Sequence, residues 1–268
     1  GDVFANSGGG IEPGTDVGTG TLSVVGNVNF AADSRAVFEI NSSSIGFDQL
    51  VVIGSIGQGD VTISGGSLFV LWDGYATQTV VAGDSFNFIT ANSVVGSFTN
   101  VIDPLRVTAS TPTTNLTNFN YQINIGGLDL VTPVVFWDGG GITTNWEEPA
   151  NWNGDTLPTN GQFVITEAAQ IDINSDVLAT PAEAFAGVQL DGLDININPG
   201  GNLDVNGNLF NHTGNIDLIG SGTITGTGTL YNLSFLSSIG TASSINIGTI
   251  ENHSSILWAE IISPASAS

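Results

Sequence analysis

Short apolar runs separated by glycine, aspartate and asparagine cover most of the chain. In the first half, Thr21-Leu22-Ser23-Val24-Val25, Ala36-Val37-Phe38-Glu39-Ile40, Gln49-Leu50-Val51-Val52-Ile53, Val61-Thr62-Ile63 and Ser67-Leu68-Phe69-Val70-Leu71 are bounded by turn formers. Their apolar and β-branched content predicts strands. Ser85-Phe86-Asn87-Phe88-Ile89 and Asn120-Tyr121-Gln122-Ile123-Asn124-Ile125 alternate strictly, which predicts one buried face. A helical period is confined to the short run 182–186.

Towards the end the pattern becomes a repeat. Leu209-Phe210-Asn211-His212-Thr213, Leu230-Tyr231-Asn232-Leu233-Ser234 and Ile250-Glu251-Asn252-His253-Ser254 place asparagines at intervals of 21 and 20 residues. A period of that length in a strand-rich stretch predicts a β-solenoid, one turn per repeat. Stacked turns would put Asn211, Asn232 and Asn252 in a column. There each side-chain amide can donate to one neighbour and accept from the other, so its burial costs little. His212 and His253 fall two turns apart, about 10 Å at the usual strand spacing. That is too far to share a metal, and they are expected on an exposed face.

Between the two halves the texture changes. Trp137, Trp146 and Trp152 are three of the five tryptophans, set in a glycine- and asparagine-rich stretch that begins near residue 134. They are expected to plug the first open turn of the solenoid. As candidates for glycan stacking the same three rings form the competing expectation. The domain expectation is therefore a β-rich closing domain over 1–133, sandwich-like or solenoid-derived, and a capped β-solenoid over 134–268.

Composition narrows the functional classes. The chain has 25 acidic residues against two arginines and no lysine, a formal charge of -23. Nucleic acid and anionic membrane surfaces are expected to be repelled. No apolar run is long enough for a membrane-spanning helix. Cysteine and methionine are absent, which rules out disulfides and thiolate metal sites and leaves the chain beginning at Gly1, as either a fragment or a processed secreted product.

Candidate chemistry is sparse. Asp191, Asp194, Asp204 and Asp217 could converge across turns, but no motif singles out a pair for hydrolysis. Asp172-Ile173-Asn174-Ser175-Asp176, continuing to Thr180 and Glu183, matches a calcium loop in part. Val177 stands where that loop needs glycine, and strands are the better expectation. No cofactor or defined metal site is expected, only diffuse divalent-cation bridging between acids. Asn41 and Asn115 head sequons and are candidate glycosylation sites; the ladder asparagines head sequons too but cannot carry glycans if they point inwards.

Several segments carry a resemblance. Ser7-Gly8-Gly9-Gly10-Ile11-Glu12-Pro13-Gly14 with Gly20-Thr21-Leu22-Ser23-Val24-Val25-Gly26-Asn27, then Phe47-Asp48-Gln49-Leu50-Val51-Val52-Ile53-Gly54, then Ala82 to Ile89 with Gly96 to Val101, are similar to secreted bacterial β-helix proteins of the autotransporter-passenger type. The segment carrying Trp137, Trp146 and Asn151-Trp152 resembles the one that opens a repeating unit in those proteins. Here the closing portion comes first, as if the chain were cut from a tandem array or completed its coil with the next molecule.

These readings combine into an expectation of a secreted, extracellular or cell-surface structural protein, not an enzyme, that self-assembles head to tail into a filament or matrix. Gly8, Gly9, Ile11, Leu22 and Val24 are expected to meet Ile256, Trp258 and Ile261 of a neighbour in a homopolymer. The alternatives are a monomeric adhesin that binds glycans or other cell-surface components and a polysaccharide hydrolase.

Overall fold

The computed structural model describes residues 1–14, 19–42, 46–54, 58–72, 84–102, 109–110, 120–125, 134–166, 170–178, 183–240 and 242–259. The chain forms two compact units, Gly1–Val131 and Thr132–Ser268. Both are built almost wholly of β-strands joined in mostly parallel pairs.

The first unit contains β1 (Val3–Ala5), β2 (Gly10–Ile11), β3 (Thr21–Val25), β4 (Val28–Phe30), β5 (Arg35–Ser42), β6 (Gly46–Phe47), β7 (Gln49–Ile53), β8 (Asp60–Ile63), β9 (Ser67–Trp72), β10 (Ser85–Thr90), β11 (Ser93–Gly96), β12 (Asn100–Ile102), β13 (Ala109–Ser110) and β14 (Asn120–Ile125). They form three sheets, ordered β1-β4-β8-β11, β2-β5-β9-β12 and β3-β7-β10-β14-β13. The chain visits these sheets in the same order each time. Hence Val3 lies beside Val28, and Val28 beside Val61, always parallel. Among the described residues of this unit, antiparallel pairing is confined to β5 with β6 and to β14 with β10 and β13. A sandwich is made of antiparallel sheets, so the sandwich-like alternative for this half is replaced by parallel pairing.

Some strands bury alternate side chains, as in β4 and β7, whereas β9 buries Leu68 to Trp72 in a row. Val28, Phe30, Ala36, Phe38, Leu50, Val61, Leu68 and Phe88 are among the residues fully withdrawn from solvent, and Phe38 stacks on Phe88 with ring centroids 4.8 Å apart. The Phe47-Asp48-Gln49 segment has a mechanical role here. Asp48 is fully buried and accepts from the backbone N–H groups of Gly20 at 2.7 Å and Glu39 at 2.9 Å. Its carboxylate thereby ties the entries of β3 and β7 to β5. Such charge-assisted bonds to backbone donors offset the cost of burying the acid.

In the second unit, β15 (Val134–Phe136) is followed by a 3-10 turn, Pro149–Asn151, then β16 (Phe163–Thr166), β17 (Ile171–Ile173), β18 (Gly187–Ile197), β19 (Asn202–Asp204), β20 (Asn208–Ile219), β21 (Thr223–Thr225), β22 (Thr229–Asn232), β23 (Phe235–Ile239), β24 (Ser244–Asn246), β25 (Thr249–Asn252) and β26 (Ser255–Ala259). The main sheet runs β15-β16-β18-β20-β22-β25. Strands β18 and β20 are long enough to pair twice. The first part of β20 meets β22 and its second part meets β23, which in turn meets β26. A separate three-stranded sheet joins β19, β21 and β24.

Parallel register converts the sequence repeat into columns of like residues. Val164, Val188, Leu209, Leu230 and Ile250 follow one another strand by strand, as do Ile171, Ile195, Ile216, Leu236 and Ile256. All but the last member of each column, Ile250 and Ile256, belong to the core of the unit. Close stacking also dictates glycine at the corner before each of the three ladder strands, β20, β22 and β25. A Cβ on Gly207 would lie 1.6 Å from the carbonyl oxygen of Ala186, and one on Gly228 1.6 Å from that of Gly207.

Candidate interaction edges and the asparagine ladder

Asn211, Asn232 and Asn252 occupy successive positions in register on β20, β22 and β25. Asn211 Nδ2 donates to Asn232 Oδ1 at 2.7 Å and to the carbonyl of Phe235 at 2.9 Å. Asn232 Nδ2 repeats both contacts one strand on, reaching Asn252 Oδ1 at 2.7 Å and Ser255 O at 3.2 Å. Because a backbone carbonyl can only accept, the second bond fixes which side-chain atom is nitrogen. The ladder therefore has a direction. It starts at Asn211 Oδ1, which is buried and meets no donor among the described residues, and it ends at the exposed Asn252.

A second ladder is hidden from the sequence period. Asn198 Nδ2 donates to Asn174 Oδ1 at 2.9 Å, and Asn174 Nδ2 donates to Asn145 Oδ1 at 3.1 Å, across sequence separations of 24 and 29 residues. Carboxylates serve as rungs as well. Asn196 Nδ2 reaches Asp172 Oδ1 at 2.9 Å and Asn215 Nδ2 reaches Asp194 Oδ1 at 3.1 Å, while Ser237 bonds Asp217 and Thr225 bonds Asp204. Three of the four acids considered for hydrolysis, Asp194, Asp204 and Asp217, are thus held by neighbouring strands. The described part of the partial calcium loop is taken up by β17 and the bends after it, with Asp172 facing Asn196 in register, and Thr180 lies outside the described residues.

Charge and hydrogen bonding shift some of these groups. Burial pushes the Asp172 carboxyl up, but hydrogen bonds from Thr144, Asn196, Gln170 and Asn198 outweigh it and leave the group below the usual aspartate range. Burial pushes Asp176 up and the neighbouring Asp204 adds to the shift; a backbone bond from Leu178 and a side-chain bond from Asn202 oppose it without cancelling it.

His212 is not on an exposed face. It is buried, and its Nδ1 lies 2.7 Å from Asp191 Oδ1 on the preceding strand. A step in register between Leu190 and Asp191 turns this part of β18 and β20 away from the regular repeat, so equivalence with His253 is lost. His253 is part-exposed, with Nε2 3.8 Å from Glu251.

The tryptophans form a buried stack. Trp137, Trp146 and Trp152 are 4%, 1% and 0% exposed, with edge-on ring contacts of 5.1 Å and 4.5 Å to Trp152. Trp152 Nε1 donates to the carbonyl of Trp146 at 2.8 Å, and Trp146 packs on Phe185. The expectation of glycan stacking on these rings is corrected: their faces are covered by protein. The loop around them is pinned by Glu148, which accepts from the backbone of Ile142 at 3.0 Å and of Thr143 at 2.8 Å.

The residues expected at a polymer joint lie on strand edges. Ile11 on β2 and Leu22 and Val24 on β3 belong to strands with a single strand neighbour among the described residues, and Gly8 and Gly9 lie in the turn before β2. Ile256 and Trp258 belong to β26, the last strand of its branch. Ile11 and Val24 are buried in the chain's own core, whereas Ile250 and Ile256 are 43% and 39% exposed. Ile261, Asn115 and the side chain of Trp258 lie outside the described residues. Asn41 is half-buried within β5, not in the open loop that a glycan acceptor favours.

Comparison of the chain with protein-family models, with curated proteins and with solved structures finds no match. No helix among the described residues is long and apolar enough to cross a membrane.

Proposed function

We propose that the sheets of each unit are the walls of a β-solenoid, and that the chain is an extracellular structural protein that stacks end to end into a filament or matrix. The observation that carries this reading is a set of open edges. Among the described residues, β24, β25 and β26 at one end of the second unit each have one strand neighbour, and so do β1, β2 and β3 at one end of the first; β11, β12 and β13, and β15, β17 and β19, edge the other end of each unit in the same way. Free edges of this kind recruit further strands. Core columns also run out at the first end, on Ile250 and Ile256, which are exposed although every earlier member of their columns is buried.

A neighbouring copy meets both needs. Parallel addition of β3 to β26 sets Leu22 beside Ile256, and addition of β2 to β25 sets Ile11 beside Ile250, so apolar positions continue apolar columns. A head-to-tail contact of this kind propagates without closing. The chain's resemblance to autotransporter-type β-helix proteins and its acidic, lysine-free surface support a secreted location. Burial of the three tryptophans removes the feature that favoured a glycan-binding monomer.

Negative-stain electron microscopy and sedimentation of the purified chain over a concentration series test this reading. Fibres are expected for the wild type, and Ile250→Lys/Ile256→Lys is expected to abolish them while circular dichroism stays unchanged. Monomers at every concentration would overturn it.

A further inference from the structure

The proposed joint has an electrostatic problem, because each copy carries a formal charge of -23. Its one described cationic side chain lies on β5, one strand in from the open edge at β2. Arg35 on β5 sits opposite Gly10 on β2, and a Cβ on Gly10 would fall 2.6 Å from Arg35 Cγ and 2.8 Å from its Nε. The arginine stem therefore lies over the backbone of Gly10, and Arg35 Nη1 reaches beyond it to the carbonyl of Gly8 at 3.1 Å. Absence of a side chain at position 10 opens this path and lets the cation lie over the edge strand and its preceding turn.

In the last layer of the second unit β25 presents Glu251. It stands in register with Tyr231 and, one strand further in, Phe210; Phe210 is fully buried and Tyr231 half-buried, but Glu251 is exposed. When Ile250 lies beside Ile11, Thr249 falls beside Gly10 and Glu251 beside Glu12. Two carboxylates then meet within reach of a single guanidinium.

We infer that Arg35 pairs with Glu251 of a second copy, and that this contact fixes the register and polarity of the joint. The inference rests on the end-to-end reading and names its specificity determinant. A guanidinium suits the role because it stays charged at any physiological pH and can bond two carboxylates through its fork of donors. A shift of β25 by two residues against β2 would set Asn252 against Ile11 and spoil the apolar column, so charge and core select the same register.

Charge reversal separates a specific pair from general repulsion. Glu251→Arg makes the chain less acidic, so if only net repulsion mattered it would strengthen assembly. A specific pair demands the opposite, a rise of about tenfold or more in the critical concentration by light scattering. Arg35→Glu is expected to do the same, and Arg35→Glu/Glu251→Arg to restore assembly. If Arg35→Glu misfolds by circular dichroism, the exposed Glu251→Arg change alone decides. Assembly unchanged or improved by Glu251→Arg overturns the pairing and leaves end-to-end stacking standing. A wild-type chain that never assembles sinks the stacking reading and this pairing with it.

Discussion

Asn232 is bonded on both sides by its own kind, accepting from Asn211 and donating to Asn252, each at 2.7 Å. The middle rung thus satisfies a buried donor on one neighbour and shares its own second proton with the Ser255 carbonyl. Replacing it by leucine leaves Asn211 Nδ2 short of an acceptor inside the core. Asn232→Leu is expected to cost about 1–3 kcal/mol in urea denaturation. Asn211→Leu should cost less, since it also removes the unpaired Oδ1.

The tryptophan stack separates packing from hydrogen bonding. Trp152→Phe loses the bond to the Trp146 carbonyl, whereas Trp146 Nε1 meets no partner among the described residues. Trp152→Phe should therefore be the more destabilising of the two phenylalanine variants, by about 1 kcal/mol. Trp152→Ala is expected to cost about 3–5 kcal/mol through the cavity it leaves. Thermal and urea unfolding of the four proteins would check the order.

Gly207 and Gly228 test the closeness of the stack. Either alanine variant drives a methyl into a carbonyl oxygen of the adjacent turn, so the two strands must separate. A loss of about 3 kcal/mol or more is expected, against the small gain that alanine gives at an unstrained site.

Acid should loosen the second unit through Asp172. Its carboxyl is held below the usual aspartate range in the fold, so its contribution is present above about pH 4 and is lost as pH falls through the lowered value. Asp176 has the opposite sign. Raised in the fold, it opposes stability once ionised and ceases to do so on protonation. Asp172→Asn is thus expected to flatten the loss of stability between about pH 5 and 2, and Asp176→Asn to leave the protein as stable or more so at pH 7. Chemical denaturation across that range would read both slopes.

The sequence revealed the ladder because the layers carrying it are of nearly constant length. The 21- and 20-residue separations survive from β20 to β25, where corners of two to four residues join successive strands. The ladder through Asn145, Asn174 and Asn198 was illegible for the converse reason. Its links span 29 and 24 residues, because the tryptophan loop and the segment after β17 insert unequal lengths between strands. Irregular spacing hid the parallel order of the first unit too, where Val3 meets Val28 but Val28 meets Val61. For His212, strand alternation put the side chain outside. A local register shift, which no single sequence encodes visibly, put it against Asp191.

The ladders run from strand to strand, in the same direction as the backbone hydrogen bonds. Tension along that direction loads the layers in series, so the second unit withstands only what its weakest layer withstands. Between β20 and β22 the buried Asn211–Asn232 bond reinforces the backbone, whereas the next link ends on exposed Asn252, where water can compete. A pulled molecule should therefore peel from β25 and β26 inwards, one layer per step, and yield as a sawtooth of small ruptures instead of a single break.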